Sequence, residues 1–502
     1  MRKFTFIDLF SGIGGFHQAL ETAGGVCLGF SEIARDAIAA YCANYNVSED
    51  RNLGDITKLK ELPKHDFLTA GVPCQSWSIA GKNLGFDDDR GQLWNDTLFL
   101  LKEAQPKVFI FENVKGLADP RNHDALTYIL ARIRQAGYFA RPLLLNAYDY
   151  GVPQTRVRIY IVGFKEQKYY NRFSVPKPCP GKVKLGDILD NINSITYGAG
   201  GTAGRSLSCN EMGLNDYFLF NDLRNGHTTI HSWDIIPTTE RQKSICSLLL
   251  RNRRKSVYGV LDGNALGLNH FQQLDSAISF EELEELVELE ILKHCPYRYE
   301  VCLSPFDSSS DETLLLSHAQ SGIIVVDELR SDKELKKHRI SIADTLHKLE
   351  GKGVVKCIET RYDFKNAKIS TGLNGINRIF LPSSKIYPTL VASDTNDFVS
   401  DVELEVSTKD EWKRAFMEKV FQPGNFRKIS KSEACKIQGF PPDFILPEAR
   451  SRWMKLIGNS VAVPVVSMLV NSIVKTGVFG ETEWNGRTAT EQNLFSRVGI
   501  DA

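Results

Sequence analysis

The feature that most constrains the fold of this chain is a regular alternation of short apolar segments and amphipathic segments over its first 165 residues. The patterning predicts strands at 4–10, 26–31, 67–70, 108–111, 139–146 and 159–164, and helices at 15–22, 34–45, 93–103 and 124–136. Strands that alternate with helices form a largely parallel sheet with helices on both faces. The sequence therefore predicts an α/β fold, a Rossmann-like, doubly wound domain that ends in a pair of adjacent strands.

The alternation stops after Lys165, and the remaining chain reads as several regions. A length of 502 residues allows two to four domains. Three prolines between 176 and 180 mark a boundary, and the pattern from 177 to 425 is mixed and irregular. Helical patterning returns at 426–480, and a polar tail follows at 481–502. Inside the middle region we expect an amphipathic helix at 280–292, a linker at 304–312, and a winged-helix-like helix and hairpin at 342–360.

Charge and cysteine content exclude several classes of protein. Lysine plus arginine and aspartate plus glutamate each number 61, so a generally basic, DNA-coating protein is excluded and any nucleic-acid site must be a local patch. The ten cysteines are scattered without a Cys-x-x-Cys pair, so we expect neither a disulfide framework nor a metal site. The N-terminus lacks a signal-peptide pattern, and no run of 18 apolar residues occurs. These features predict a protein of a reducing cytoplasm that is not in a membrane.

A glycine-rich turn follows the first predicted strand. Gly12, Gly14 and Gly15 lie between that strand and a helix, where backbone N–H groups face a ligand at the carboxyl edge of the sheet. Glu32 follows Gly12 by 20 residues and ends the second strand, a position from which an acid commonly binds ribose hydroxyls. The turn predicts an adenosine-containing cofactor. Its spacing departs from the dinucleotide fingerprint, which leaves a nicotinamide oxidoreductase as the weakest alternative.

Chemically capable side chains follow other predicted strands at the same edge. Cys74 lies between proline and glutamine on a polar loop, which favours an exposed thiolate over a buried hydrophobic cysteine. Glu112 ends the strand at 108–111, where an acid is either functional or a helix cap. Arg156 and Arg158 alternate along a strand and are either a surface pair or a clamp for a carbonyl or phosphate.

The order of these motifs resembles that of the DNA cytosine-5 methyltransferases. The resemblance covers residues 1 to about 165 and about 425 to 478, and it rests on five motifs: Phe10–Gly15, Pro73–Gln75, Glu112–Val114, Gln154–Arg158 and Gly458–Val461. It implies a cofactor-binding catalytic domain at 1–176, a target-recognition domain at 177–425, and a segment at 426–480 that completes the catalytic domain. Ile33 departs from the pattern, since many relatives have tryptophan there. We therefore expect aliphatic packing against the adenine.

The resemblance also implies a mechanism. Carbon 5 of cytosine is too weak a nucleophile to accept a methyl group unaided, and attack by the Cys74 thiolate at carbon 6 activates it. Glu112 is implied to contact ring nitrogen 3 and the amino group, Arg158 to hold the carbonyl oxygen, and Arg156 to brace the loop or the acid. The implied methyl donor is S-adenosylmethionine, and the cytosine must be flipped out of the duplex.

The implied binding residues fall into two sets. Those assigned to the cofactor are Phe10, Gly12, Gly14, Gly15, Glu32, Ile33, Asp55, Ile56, Pro73, Asn459, Ser460 and Val461. Those assigned to DNA are Ser76, Lys82 and Arg90 in the loop after Cys74, Thr389 and Leu390, and Arg251, Arg253 and Arg254 in a basic cluster that could equally be a solvated turn.

The implied partners are double-stranded DNA and, in function, a restriction endonuclease of matching specificity, for an enzyme that acts as a monomer in the bacterial cytoplasm. The nearest rival is RNA methylation by a branch of the same family, against which the large middle region argues. A non-catalytic DNA-binding regulator is the second rival, and the intact Cys74, Glu112 and Arg158 argue against it.

Overall fold

The computed structural model describes residues 4–73, 89–179, 183–190, 218–219, 230–259, 263–302, 309–365, 378–406 and 408–480. The predicted loop that contains Cys74, Ser76 and Lys82 lies outside these ranges, as does the predicted tail at 481–502.

A six-stranded sheet forms the N-terminal part of the chain. Its strands are β1 (Phe4–Leu9), β2 (Gly25–Ser31), β3 (Phe67–Gly71), β4 (Val108–Val114), β5 (Phe139–Asn146) and β6 (Val157–Phe164). The strand order is β2-β1-β3-β4-β6-β5, in which the first four strands are parallel and β6 runs antiparallel to both of its neighbours. Its helices are α1 (Gly15–Thr22), α2 (Arg35–Tyr45), α3 (Asp89–Ala104), α4 (His123–Gln135) and α5 (Gln167–Arg172).

Both faces of this sheet are buried, as the predicted α/β fold requires. Along β1, Phe4 and Phe6 belong to one hydrophobic cluster, whereas Ile7 and Leu9 belong to a second cluster on the opposite face. The period of two places alternate side chains on opposite faces of a strand. The predicted doubly wound domain and its terminal pair of strands are therefore confirmed.

The middle of the chain forms two small three-stranded sheets. One contains β8 (Leu292–Val301), β9 (Ile323–Val325) and β10 (Val355–Phe364), and the other contains β7 (Phe218–Leu219), β11 (Arg378–Phe380) and β12 (Asp397–Val399). The helices of this part are α6 (Ser232–Ile235), α7 (Glu240–Asn252), α8 (Leu268–Leu274), α9 (Phe280–Glu288), α10 (Ser310–Leu316), α11 (Val326–Ser331), α12 (Lys333–Lys337) and α13 (Ile342–Gly351).

Three expectations for this middle part need correction. The amphipathic helix α9 ends at Glu288 and β8 begins at Leu292, so the predicted helix is too long. The predicted linker at 304–312 is wrong at its end, because the Ser309 side chain accepts a hydrogen bond from the Glu312 N–H and caps α10. The helix expected at 342–349 is present as α13, but its following strand pairs with the earlier strand β8.

The C-terminal part returns to the first domain. It contains α14 (Lys409–Phe416) with a π-helical turn (Met417–Phe421), then α15 (Lys431–Gln438), α16 (Arg450–Asn459) and α17 (Val463–Val474). Helix α17 packs on α1, and its apolar residues join the cluster that includes Phe4 and Phe6. By length and composition the stretch Arg450–Val474 could cross a membrane, but it divides into two helices and 67% of its most apolar window is buried inside the protein.

The same cluster also takes in residues from both ends of the middle region. Leu185, Phe380, Tyr387 and Leu390 are buried in it together with the N-terminal strands. The core of the first domain therefore extends into the range 177–425.

Candidate active site

The glycine turn after β1 has a left-handed backbone at three positions. Phe10, Gly12 and Gly14 have φ angles of 51°, 55° and 84°. A Cβ on Gly14 would lie 2.3 Å from the Tyr45 ring, whereas a Cβ on Gly12 would meet no heavy atom within 4 Å. Glycine is thus required at position 14 by packing and conformation, and Gly12 faces open space.

Glu32 fixes this turn to the end of β2. Its carboxylate accepts hydrogen bonds from the N–H groups of Gly12 (2.9 Å), Ile33 (2.8 Å) and Ala34 (2.8 Å). The last two bonds satisfy backbone donors at the start of α2. The side chain of the neighbouring Ile33 is 72% exposed. An exposed apolar surface therefore lies next to the carboxylate predicted to bind ribose.

The other cofactor residues predicted in the first domain are partly exposed and partly buried. Asp55 accepts hydrogen bonds from the N–H and Oγ1 of Thr57, which lower the pKa of its carboxyl. Ile56 is buried in the second hydrophobic cluster and supports this turn from beneath. Pro73 is the last residue described before the loop that contains Cys74.

Residues from the C-terminal part complete the glycine turn. A Cβ on Gly15 would lie 2.6 Å from Cγ2 of Val461 and 2.8 Å from Oγ of Ser460. Asn459, the last residue of α16, is exposed. The structure thus brings the Phe10–Gly15 and Gly458–Val461 motifs together from opposite ends of the chain.

Glu112 and Arg158 form a buried ion pair at the carboxyl edge of the sheet. Arg158 lies opposite Val114 in the β4–β6 pair, which places its side chain diagonally across from Glu112. The distance from Arg158 Nε to Glu112 Oε1 is 3.2 Å, and both side chains are mostly buried. Burial raises the pKa of the Glu112 carboxyl, and the opposing charges of Arg158 and Arg156 lower it by less. The group therefore holds a proton to higher pH than an ordinary glutamate.

Asn113 links this acid to the segment that leads into Cys74. Its Nδ2 donates to the carbonyl oxygen of Val72 at 3.1 Å, and its side chain is buried. Residues 71 and 112 are also register partners of β3 and β4. The segment entering the Cys74 loop therefore starts beside Glu112. The Cys74 side chain itself is outside the described residues.

Arg156 is buried and has other partners than Arg158. Its guanidinium donates to the carbonyl oxygens of Leu390 (2.8 Å), Gly458 (3.0 Å) and Ser460 (2.6 Å). It therefore joins its own segment to two others, at Leu390 and at the end of α16, and its role is one of positioning. Sequence patterning predicted both arginines on one face, but Arg156 precedes the first residue of β6, where the alternation of the strand does not apply.

Two glutamines that sequence reasoning did not assign belong to the same network. Gln154 donates to Gln438 Oε1 (2.8 Å) and the Ile437 carbonyl (3.1 Å), and it accepts from the Leu390 N–H (3.0 Å). Gln438 Nε2 donates to the Ser460 carbonyl at 2.6 Å. Both side chains are fully buried. Each lies in a stretch that resembles the family, Gln154 within Gln154–Arg158 and Gln438 within Ser430–Pro441, but no role was assigned to either side chain.

The residues assigned to DNA divide into exposed and buried ones. Arg251 and Arg254 are exposed, and the side chain of Arg90, on α3, is not among those described. Arg253 is buried and lies 3.0 Å from Asp363, which argues against its predicted phosphate contact, because this ion pair engages the guanidinium.

Thr389 and Leu390 also have internal partners. Leu390 is buried against Gln154 and Arg156, so its predicted DNA contact needs correction in the same way. Thr389 Oγ1 donates to the Thr155 carbonyl oxygen. These two residues fasten the end of the middle region to the catalytic edge.

Comparison with known proteins assigns the class. The family model for C-5 cytosine-specific DNA methylases matches residues 4–289 and 312–475. The type II methyltransferase M.HgiBI of Herpetosiphon aurantiacus is 39% identical over 482 residues, covering 93% of this chain and 96% of that protein. The type II methyltransferase M.NlaIV of Neisseria lactamica is 28% identical over 507 residues, covering 95% of this chain and 100% of that protein. The solved structure of the Entamoeba histolytica methyltransferase EhMeth matches at a TM-score of 0.47 and 13% identity, and the match covers 95% of this chain and 99% of that one.

The structure thus places a glycine turn and an acid–arginine pair at the carboxyl edge of an α/β sheet. This chain belongs to the C-5 cytosine-specific DNA methylase family. It is a DNA cytosine-5 methyltransferase, of the type found in restriction-modification systems.

Proposed function

We propose that this enzyme transfers a methyl group from S-adenosylmethionine to carbon 5 of a flipped-out cytosine, within one short sequence of double-stranded DNA, through a covalent adduct with Cys74. It would act as a monomer in the bacterial cytoplasm and protect host DNA from a cognate restriction endonuclease. The observation that carries the proposal is the buried Glu112–Arg158 pair beside the segment that enters the Cys74 loop.

The residues around the glycine turn fit an adenosine-containing methyl donor. Gly12 faces open space, Ile33 offers an exposed aliphatic surface, and Asn459 is exposed at the rim formed with Gly15. The Oγ of Ser11 is buried without a hydrogen-bond partner among the described residues, so the turn has polar capacity left for a ligand. When bound, S-adenosylmethionine supplies the electrophilic methyl group. The residues proposed to hold it are those predicted from the sequence, with Glu32 and Asp55 on the ribose and adenine portions.

Glu112 and Arg158 have distinct proposed roles on the cytosine. The raised pKa of Glu112 keeps a proton available for ring nitrogen 3 as the Cys74 sulfur bonds to carbon 6. Arg158 is proposed to hold the carbonyl oxygen and to balance the charge of the acid. Once carbon 5 has gained the methyl group, loss of the proton that it still carries would expel the Cys74 thiolate from carbon 6 and restore the ring double bond.

Bisulfite sequencing of plasmid DNA from cells expressing the protein tests this proposal. Wild-type protein is expected to protect cytosines at one short sequence motif, and Cys74→Ser is expected to abolish protection while binding of S-adenosylmethionine and DNA persists. Cys302→Ser is the matched control, because Cys302 is an exposed cysteine of the middle region. Protection by Cys74→Ser would overturn the nucleophile assignment, and tritium transfer to RNA without transfer to duplex DNA would overturn the substrate.

A further inference from the structure

Residues 292–365 contain a small unit with a hydrophobic core of its own. The core is formed by side chains from α10 to α13 and from the adjoining strand ends: Tyr299, Leu315, Ile324, Val326, Leu329, Leu335, Leu346, Leu349, Val354 and Val355. Strands β8 and β10 pair antiparallel from Leu292↔Phe364 at one end to Val301↔Val355 at the other. Leu292 and Phe364 are buried in the separate cluster of α7, α8 and α9. The β8–β10 pair therefore connects two separate hydrophobic cores, that of the unit at one end and that of α7, α8 and α9 at the other.

The unit contains a helix–turn–helix. Helix α12 ends at Lys337 and α13 begins at Ile342, so four residues join them, which is the length of a helix–turn–helix turn. Arg339 reverses the chain there with a φ of 56°. Leu335 of α12 and Leu346 of α13 are buried in the shared core. The sheet of β9, β8 and β10 flanks these helices, as in a winged helix.

The two helices and the turn between them carry positively charged side chains without ion-pair partners among the described residues. Residues 333–348 contain five cationic side chains against two carboxylates, in a chain whose net charge is zero. The five are exposed and, among the residues that the structure describes, none of them has an ion-pair partner: Lys333, Lys336, Lys337, Arg339 and Lys348. By contrast, Arg253 in the basic cluster at 251–255 is buried and paired.

The second helix presents a free face. Ala343, His347 and Lys348 of α13 are exposed, whereas Thr345, Leu346 and Leu349 are buried. Asp344 is also exposed, and its carboxylate accepts a hydrogen bond from the Ser341 hydroxyl at 2.5 Å. In helix–turn–helix proteins the second helix enters the major groove and its N-terminal part reaches the base edges.

We infer that α12, the turn and α13 form a duplex-DNA-binding site, with α13 in the major groove and Lys336, Lys337 and Arg339 on the backbone phosphates. This inference rests on the proposed function and adds to it the element that grips the substrate outside the catalytic edge. A polyanion is the partner that complements the unpaired cations. Duplex DNA is favoured over duplex RNA, because the major groove of duplex RNA is too deep and narrow to admit a helix.

The test uses the full-length protein and a mixed-sequence duplex of about four helical turns. The variant is Lys336→Gln/Lys337→Gln/Arg339→Gln. The control is Lys102→Gln/Arg132→Gln/Arg134→Gln, which removes the same charge from the last turns of α3 and α4. These turns lie at the sheet edge opposite the catalytic one, because each helix runs back from the carboxyl end of the preceding strand. Binding is measured against salt concentration for both variants and wild type.

The site variant is expected to bind DNA at least about tenfold more weakly at physiological salt, with a salt slope smaller by about 2 to 3. Its KM for DNA is expected to rise, while kcat at saturating DNA and the affinity for S-adenosylmethionine stay at wild-type values. Binding equal to that of the control variant, or a loss seen with duplex RNA alone, overturns the inference. Failure of wild-type protein to methylate DNA would instead reject the proposed function, which the bisulfite experiment detects separately.

Discussion

At the scale of single residues, burial raises the pKa of two carboxyl groups, those of Glu112 and Asp8, and the two groups have different surroundings. Glu112 lies at the catalytic edge, and an arginine opposes the effect of its burial. Asp8 lies on β1 beneath the glycine turn, and burial raises the pKa of its carboxyl to about 8. Asp8 Oδ1 accepts a hydrogen bond from Thr69 at 2.9 Å, whereas Oδ2 has no hydrogen-bond partner among the described residues. Glu112 is the group proposed to transfer a proton, and Asp8 is expected to affect stability.

Glu112→Gln is expected to lower kcat by about 10²-fold or more, because the amide cannot supply a proton to the cytosine ring. The measurement is single-turnover tritium transfer across pH. Wild-type activity should fall as pH rises through the raised pKa of Glu112, since the protonated form is lost. The activity of the variant should not show this decrease with pH.

The exposed acid Glu103 provides the control for that measurement, since Glu103→Gln makes the same chemical change on α3. Activity of Glu112→Gln within twofold of wild type would remove Glu112 from the mechanism.

The raised pKa of Asp8 predicts a pH dependence of stability. Between about pH 4 and pH 8 the folded protein keeps the Asp8 proton and the unfolded chain does not, so the free energy of unfolding falls as pH rises. The slope from this one group is at most about 1.4 kcal/mol per pH unit. Asp8→Asn should remove this contribution, which shows as a flatter melting temperature against pH in differential scanning calorimetry. Parallel pH profiles for the two proteins would contradict the assignment.

At the scale of elements, the proposed cofactor side of the site lies where the glycine turn meets the α16–α17 junction. Gly15 has no room for a side chain because Ser460 and Val461 pack against it. Gly458 is equally close to the backbone of Val391, at 2.2 Å for a Cβ placed there. Two glycines thus allow three distant segments to approach each other at backbone distance.

Gly15→Ala is expected to destabilise the protein by about 1–3 kcal/mol, as overpacking does, and to weaken binding of S-adenosylmethionine. Isothermal titration and thermal unfolding measure the two effects. Val461→Ala in the same chain should recover part of both, because it removes the closest atom. The control is Gly351→Ala at the end of α13, where a Cβ would meet nothing within 4 Å. Equal melting temperatures for the Gly15 and Gly351 variants would refute this account.

Sequence patterning predicted the elements of the first domain well, for a physical reason. The strands are short apolar runs buried on both faces, and the helices α1 and α4 have a clear apolar stripe, so these elements have a local signal. The burial of Arg253 could not be predicted locally. A basic run is typical of an exposed segment, and the partner of Arg253, Asp363, is 110 residues away. The Gln154–Gln438 bond spans 284 residues, and no local pattern encodes it. Of the candidate site, the residue types were predictable, but their partners were not.

At the scale of the whole molecule, a buried polar junction adds to the contacts that Phe380, Tyr387 and Leu390 make with the core of the first domain. Arg427 and Glu433 form a buried two-bond ion pair with distances of 2.6 and 2.7 Å. Glu433 also accepts a hydrogen bond from the Asp190 N–H, and the Asp190 carboxylate accepts bonds from Ser430 and Lys436. The segment at 183–190 is thereby joined to the segment at 427–436.

Arg427→Gln is expected to destabilise the protein by about 3–5 kcal/mol, because it leaves the Glu433 charge buried without its partner. Arg427→Gln/Glu433→Gln should recover part of this loss, since no charge is left buried, although a single amide oxygen cannot accept from both the Asp190 N–H and the Ser430 N–H as Glu433 does. Chemical denaturation of the two single variants and the double variant gives the coupling energy. Additive losses would contradict a paired role.

The meeting of Gly15 with Ser460 and Val461 has a consequence for biosynthesis. A ribosome adds about 5–20 residues per second, and domains fold from the N-terminus as they emerge. The N-terminal sheet can form early, but the proposed methyl-donor site lacks one wall until α16 and α17 have left the exit tunnel. We therefore expect a nascent chain to acquire donor binding only near release. A chain broken off before the last helices is expected to lack that binding.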